Sequence, residues 1–197
     1  MRLKLTILHD NGTRISGKDV HLRQGDADGA CGPYCILMAL IAAGIETRDK
    51  IISLDRHHGN SNFAKLMDKF DNRSSRFYNG GTILPDLTKF LSHYGRVQTK
   101  AVHGNGTVVR KFLIEHIKQN HPVVLGLPGH WVLATGISET QDGQLLSIFA
   151  LDPSRESQNK AWNLEIEGVG AGGSTPYIVL TDGSRVAFDD AFALWRN

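Results

Sequence analysis

Cys31 stands in the run Gln24-Gly25-Asp26-Ala27-Asp28-Gly29-Ala30-Cys31-Gly32-Pro33-Tyr34-Cys35, directly ahead of an apolar helical stretch. At a helix N-terminus, the unpartnered N–H groups and the positive end of the dipole favour thiolate over thiol. A thiolate is a nucleophile, and three other residues complete a set for acyl transfer. His130, in Gly129-His130-Trp131-Val132-Leu133, starts an apolar strand at the rim of a sheet and can act as a base. Asp152 follows the apolar run Ser147-Ile148-Phe149-Ala150-Leu151 and is fixed by Pro153, which suits it to orient that histidine. Gln24 lies seven residues before Cys31, so its side-chain N–H and the Cys31 backbone N–H can together hold an oxyanion.

Other residues of the same types read differently. Cys35 falls one turn further into the helix among Ile36, Leu37 and Met38, and reads as core packing. His57, His58, His93 and His116 lie in charged or helical contexts and read as surface. Asp26 and Asp28 lack the later Glu of a calcium loop, and no Cys/His cluster has zinc spacing, so neither a metal nor any other cofactor is expected. The glycine run at 168–173 is not a dinucleotide fingerprint: no strand is expected to lead into it, no helix follows, and no acid sits at the later spacing.

These residues need elements to position them. Residues 3–8 and 18–22 alternate on either side of Asp10-Asn11-Gly12, which predicts a hairpin leading into the reactive loop. Residues 33–43 are apolar helix formers, with Pro33 in the first turn and Gly44 as C-cap, and form the expected central buried helix. Short helices are expected at 47–54, 62–70 and 84–94, the last capped by Thr82 and ended by Gly95. Helical spacing of Val108, Val109, Phe112, Leu113 and Ile117 predicts an amphipathic helix over 108–119.

After Pro122 the pattern turns to strands at 123–127, 131–137, 145–151 and 177–180, with a short closing helix expected at 189–195. Gln141-Asp142-Gly143 turns one strand onto the next. His130 and Asp152 lie eleven residues either side of position 141, so they are expected to face each other near the open end of that hairpin. Helices followed by an antiparallel sheet give an α+β fold class. The layout is a single domain of 197 residues: a hairpin over 1–23, a mainly helical part over 24–120 and a sheet part over 121–197.

With 41% hydrophobic residues the chain can bury a real core, and a net charge of +2 with no dense Lys/Arg run gives no footprint for nucleic acid. No stretch approaches the roughly 20 apolar residues that span a bilayer, and the charged, alternating N-terminus is not a signal peptide. Two cysteines four residues apart on a helix do not suit a disulfide, so reduced thiols in a cytoplasmic setting are expected, or export without a cleavable signal peptide.

The motifs Ala30-Cys31-Gly32-Pro33-Tyr34-Cys35, Gly129-His130-Trp131-Val132-Leu133-Ala134-Thr135-Gly136 and Leu151-Asp152-Pro153-Ser154, in this order, resemble the papain-like cysteine peptidases. Within them the chain looks most like the bacterial bacteriocin-processing, double-glycine peptidase group and its stand-alone relatives, over residues 24–195. The resemblance implies Cys31 as nucleophile, His130 as base and then acid, Asp152 as orienter and Gln24 as oxyanion donor, with a peptide or protein as partner. That group usually places its glutamine six residues before the cysteine, so either the loop after Gln24 is expected to bulge or the donor role to shift to another group. The same residues serve an amidase, or a transglutaminase-like transferase acting as an effector or toxin. A binding module that has kept the fold without the activity is the remaining reading.

Overall fold

The computed structural model describes residues 3–10, 12–24, 29–53, 64–66, 81–91, 94–168, 177–179 and 182–197. The helices are α1 (Gly17–Val20), α2 (Cys31–Ala42), α3 (Arg48–Ile52), α4 (Leu84–Leu91) and α5 (Gly106–Lys118). The strands are β1 (Lys4–Ile7), β2 (His9–Asp10), β3 (Thr13–Arg14), β4 (Val97–His103), β5 (Val123–Leu127), β6 (His130–Glu139), β7 (Leu145–Leu151), β8 (Leu164–Glu167), β9 (Tyr177–Val179), β10 (Arg185–Val186) and β11 (Asp190–Arg196). One antiparallel sheet runs in the order β10-β9-β8-β7-β6-β5-β11-β4, and helices pack on it, so the fold is α+β.

β6 is the spine of the sheet. β5 pairs with its first half and β1 with its second, both on the edge opposite β7. Helix α2 lies across β6 and β5 and is apolar around its whole circumference; Cys35, Ile36, Met38, Ala39 and Leu40 are fully buried. A helix with no polar face has to be surrounded, and this one is the centre of the core. It ends where Gly44 adopts φ +63, so that Gly44 N–H reaches Ile41 O at 2.9 Å and Ile45 N–H reaches Leu40 O at 3.0 Å. This is the six-to-one and five-to-two closure for which glycine is the favoured residue. Helix α5 packs on β11, β4 and β6, and Asn105 caps it by accepting from Thr107 N–H and Val108 N–H at 3.1 and 3.2 Å.

Several expectations are corrected. Segment 3–8 does not pair with 18–22: β1 joins β6, and the local hairpin is the two-residue pair β2–β3 around Gly12. Residues 17–20 form a helical turn, because Gly17 N–H is drawn to Lys160 O and a Cβ there would lie 2.2 Å from that oxygen. The closing segment 189–195 is strand rather than helix, since β11 fills the slot between β5 and β4 and satisfies both ladders. Thr82 does not cap α4. Asp86 reaches back to Ile83 N–H at 3.3 Å instead, and Thr82 packs on Gly32. The sheet draws β1 from residues 1–23 and β4 from 24–120, so the three sections of chain share one core. The 62–70 helix is described only at 64–66, which are helical.

Candidate active site

Cys31 is the first residue of α2, which puts its thiol at the N-terminal end of the most buried helix in the protein. It is nearly buried, at 6% exposed, and forms part of a cleft wall. Cys35 sits one turn deeper at 0% exposed, where burial first, and then the charges of Cys31 and Asp152, push its thiol well above the usual range. The two thiols therefore live in opposite environments, and only Cys31 borders open space.

His130 owes its place to a tight turn. Leu127 and His130 pair across a two-residue connection in which Pro128 leads and Gly129 takes φ +70, a conformation that glycine adopts without strain. The imidazole thus begins β6 at the cleft edge, and its Nε2 donates to Asp152 Oδ1 at 2.8 Å. The two residues are not directly opposed, as hairpin counting had them. Gly143 takes φ +84 and Glu139 faces Leu145, so the turn is centred on Asp142, one residue later; the register shifts at Ser138/Glu139 and at Ala134/Gly136 cancel each other. Leu133 consequently faces Leu151, and the register carried one step further puts Asp152 opposite Val132. The His130–Asp152 bond is a diagonal one, within reach because the imidazole is long.

Asp152 is caged. Its Oδ1 also accepts from Ser154 N–H at 2.9 Å and Ser154 Oγ at 2.6 Å, and its Oδ2 accepts from Arg155 Nε at 3.0 Å. Its backbone is held as firmly: Asp152 N–H donates to Asn163 Oδ1, while Asn163 Nδ2 and the buried His21 Nε2 donate to Asp152 O. Burial opposes ionisation of this carboxyl, yet the hydrogen bonds from His130 and Ser154 hold it well below the usual carboxylate range. Burial likewise lowers the affinity of His130 for its proton, but its hydrogen bonds to Asp152 and Cys31, and their negative charges, raise it to about 9.

These shifts set a pH window. A histidine held above its unfolded value of 6.5 contributes stability in full below pH 6.5, and that contribution is lost as the pH rises through about 9. Asp152, held below its unfolded value, contributes at neutral pH and loses that contribution only on strong acidification. The melting temperature is therefore expected to fall between pH 6.5 and about 9 in the wild-type protein and to fall much less in His130→Ala. Melting curves across that range check it; parallel curves for the two proteins would contradict the shift.

The cleft has a volume of about 620 Å³ and is lined by Cys31 and His130 together with Gln24, Thr82, Trp131 and Asp190, among others. Gln24 is brought there by its backbone N–H, which donates to Pro153 O at 2.9 Å and ties the segment after α1 to the Asp-Pro turn. Residues 25–28, including Asp26 and Asp28, lie outside the described residues, as does the expected bulge. Trp131 Nε1 donates to Thr82 O at 2.7 Å, which holds the 81–83 segment as one wall. Across the cleft His103 Nδ1 meets Asp190 Oδ1 at 2.7 Å.

Ser154, Arg155, Asn163 and His21 were not singled out in the sequence. Ser154 and Arg155 had a signal, since polar residues just after an Asp-Pro fold back on the aspartate; Asn163 and His21 are distant in sequence and had none. His116, read as surface, is 2% exposed, stacks with Trp195 and meets His121 through their Nδ1 atoms at 3.1 Å. His57, His58 and His93 lie outside the described residues, as does the glycine run beyond Gly168, into which β8 leads directly. Among the described residues no three His, Cys, Asp or Glu side chains form a metal-binding group, and no helix is long and apolar enough to cross a membrane.

An antiparallel sheet crossed by a central helix, with a cysteine at the helix start and a His–Asp pair on adjoining strands, is the layout of a papain-like fold. Among solved structures the chain is similar to that of UfSP from C. elegans, with a TM-score of 0.53 at 12% identity over 98% of this chain. The likeness is one of fold, and the chain spans about a third of that protein, 34% of its length. No family model matches the sequence, and no curated protein matches it.

Proposed function

We propose that this protein is a cysteine peptidase that cleaves a peptide or isopeptide bond through a thioester on Cys31. The observation that carries the reading is the His130–Asp152 bond of 2.8 Å at the edge of a cleft that also holds a helix-initiating cysteine. In this reading His130 draws the proton from Cys31 to give a thiolate–imidazolium pair. The thiolate attacks the carbonyl carbon, and the oxyanion is held by the Gln24 side-chain N–H and the Cys31 N–H. The C–N bond breaks as the imidazolium gives its proton to the departing amine. Water then attacks the thioester carbonyl and loses a proton to His130, releasing the acid and restoring the thiol. The likeness to the UfSP structure is one of fold and is compatible with this reading.

The test is peptide profiling by mass spectrometry with the wild-type protein and Cys31→Ala, using a panel that includes Gly-Gly peptides and added amine acceptors. New termini in the wild-type digest only, with hydrolysed rather than amine-capped ends, are expected. Turnover retained in Cys31→Ala, or iodoacetamide labelling of Cys31 no faster than that of Cys35, would overturn the reading.

A further inference from the structure

Arg155 is tied to the candidate catalytic carboxylate from two directions. Its backbone N–H donates to Asp152 O at 3.2 Å, and its side-chain Nε donates to Asp152 Oδ2 at 3.0 Å. The same guanidinium then reaches away from the cleft, where Nη2 donates to Asp182 Oδ2 at 3.2 Å on the turn between β9 and β10. One planar group therefore bridges two carboxylates on separate stretches of chain, a geometry that the arginine fork provides and a lysine ammonium does not. Oδ1, the other oxygen of Asp152, receives His130 and Ser154.

We propose that Arg155 is a positioning residue for the reaction: it clamps Oδ2 of Asp152 so that Oδ1 faces His130, and its charge takes a share of the carboxylate that the imidazolium would otherwise hold alone. This rests on the reading of Cys31, His130 and Asp152 as the working set. A base that must also release its proton to the leaving amine is hampered by too strong a counter-ion, and a fixed cation on the far oxygen moderates that grip.

A purely structural role is the weaker explanation. Arg155 is 31% exposed and Asp182 49% exposed, and ion pairs this open to water contribute little to stability. Asp152 also keeps Ser154, Asn163 and His21 around it without the arginine. Among the described residues, the charged and titratable groups around the set are Cys31 and Cys35 on α2, Asp152 and Arg155 after β7, His21 after α1, Asp182 behind the arginine, and the His103–Asp190 pair with Asp189 across the cleft.

Alkylation of Cys31 by iodoacetamide across pH reads this directly and needs no substrate. Its rate has an upper inflection where the imidazolium loses its proton, with Cys31→Ala as background. Arg155→Gln is expected to move the upper inflection up by about half to one pH unit, because the imidazolium then faces an unshared carboxylate. Arg155→Lys, which keeps a charge, is expected to return the inflection most of the way to its wild-type position. An upper inflection in Arg155→Gln that stays in place or moves down overturns the proposal. If instead wild type and His130→Ala give the same profile, the reading of the thiol–imidazole pair fails and the role of Arg155 fails with it.

Discussion

His130→Ala is expected to lower turnover at neutral pH by about 10³–10⁴-fold and to lose the stability of the His130–Asp152 pair, while costing the fold less than removal of Asp152 does. The large kinetic effect follows from the double use of the imidazole. It creates the thiolate at the start of α2, and it returns a proton to the leaving amine, so its removal loses both steps. The smaller structural effect follows from the surroundings of Asp152. When the imidazole is gone the carboxylate still accepts from Ser154 N–H, Ser154 Oγ and Arg155 Nε, so no buried charge is left without donors. Asp152→Ala should reverse the balance. It strands the donors of His130, Ser154 and Arg155 together, which costs about 3–5 kcal/mol when a buried pair is broken, and it lowers turnover less than loss of the imidazole does. Initial rates on a cleaved peptide and urea melts of both variants check this. A His130→Ala protein that turns over within tenfold of wild type, or that melts as low as Asp152→Ala, would contradict it.

Parts of the molecule were legible because local pattern and tertiary environment agree. Helix α2 is apolar on every face and closes at Gly44, so its burial can be read directly. β5, β6 and β7 are apolar runs separated by Pro128-Gly129 and Gln141-Asp142-Gly143, and both turns appear where the residues demand them. β4 was missed because Gln98, Thr99 and Lys100 are exposed on the sheet's edge and lack the apolar alternation that marks a strand. The partner of β1 lay out of reach of local reasoning, since Lys4 to Ile7 pair with Gly136 to Glu139, which lie far along the sequence beyond every described helix.

The candidate site divides in the same way. Cys31, His130, Asp152 and Gln24 each carry a local signature, and the structure brings them to one cleft and the adjoining turn. What spacing could not convey is register: the turn is centred on Asp142, one residue later than counting from position 141 places it, and that turns an opposed pair into a diagonal one. His116 shows the converse failure. On the sequence it is one polar residue on an amphipathic helix, but Trp195 of β11 and His121 close over it, and burial lowers its affinity for a proton.

β11 carries the second large effect, because it is among the most buried elements of the sheet. Ala191, Phe192, Ala193 and Leu194 are all 0% exposed, so both faces of the strand are covered. Four consecutive apolar residues of this kind carry no period-two signal, and alanine and leucine favour a helix, which is why the segment resembles one. The ladders decide otherwise: Phe192 pairs with Val124 of β5 on one side and Ala101 of β4 on the other. Phe192→Ala is therefore expected to cost about 3–5 kcal/mol, the loss of a fully buried aromatic plus the cavity it leaves. For a chain of this size that corresponds to a fall in melting temperature of about 6–20 °C. A urea melt that shifts the midpoint without changing the slope would show the loss to be one of packing. The effect should also reach the cleft, because Asp190, the first residue of β11, lines it beside Gly126 and Trp131. A loss below about 1 kcal/mol would mean that position 192 is not enclosed on both faces, and that the strand between β5 and β4 does not hold the cleft wall in place.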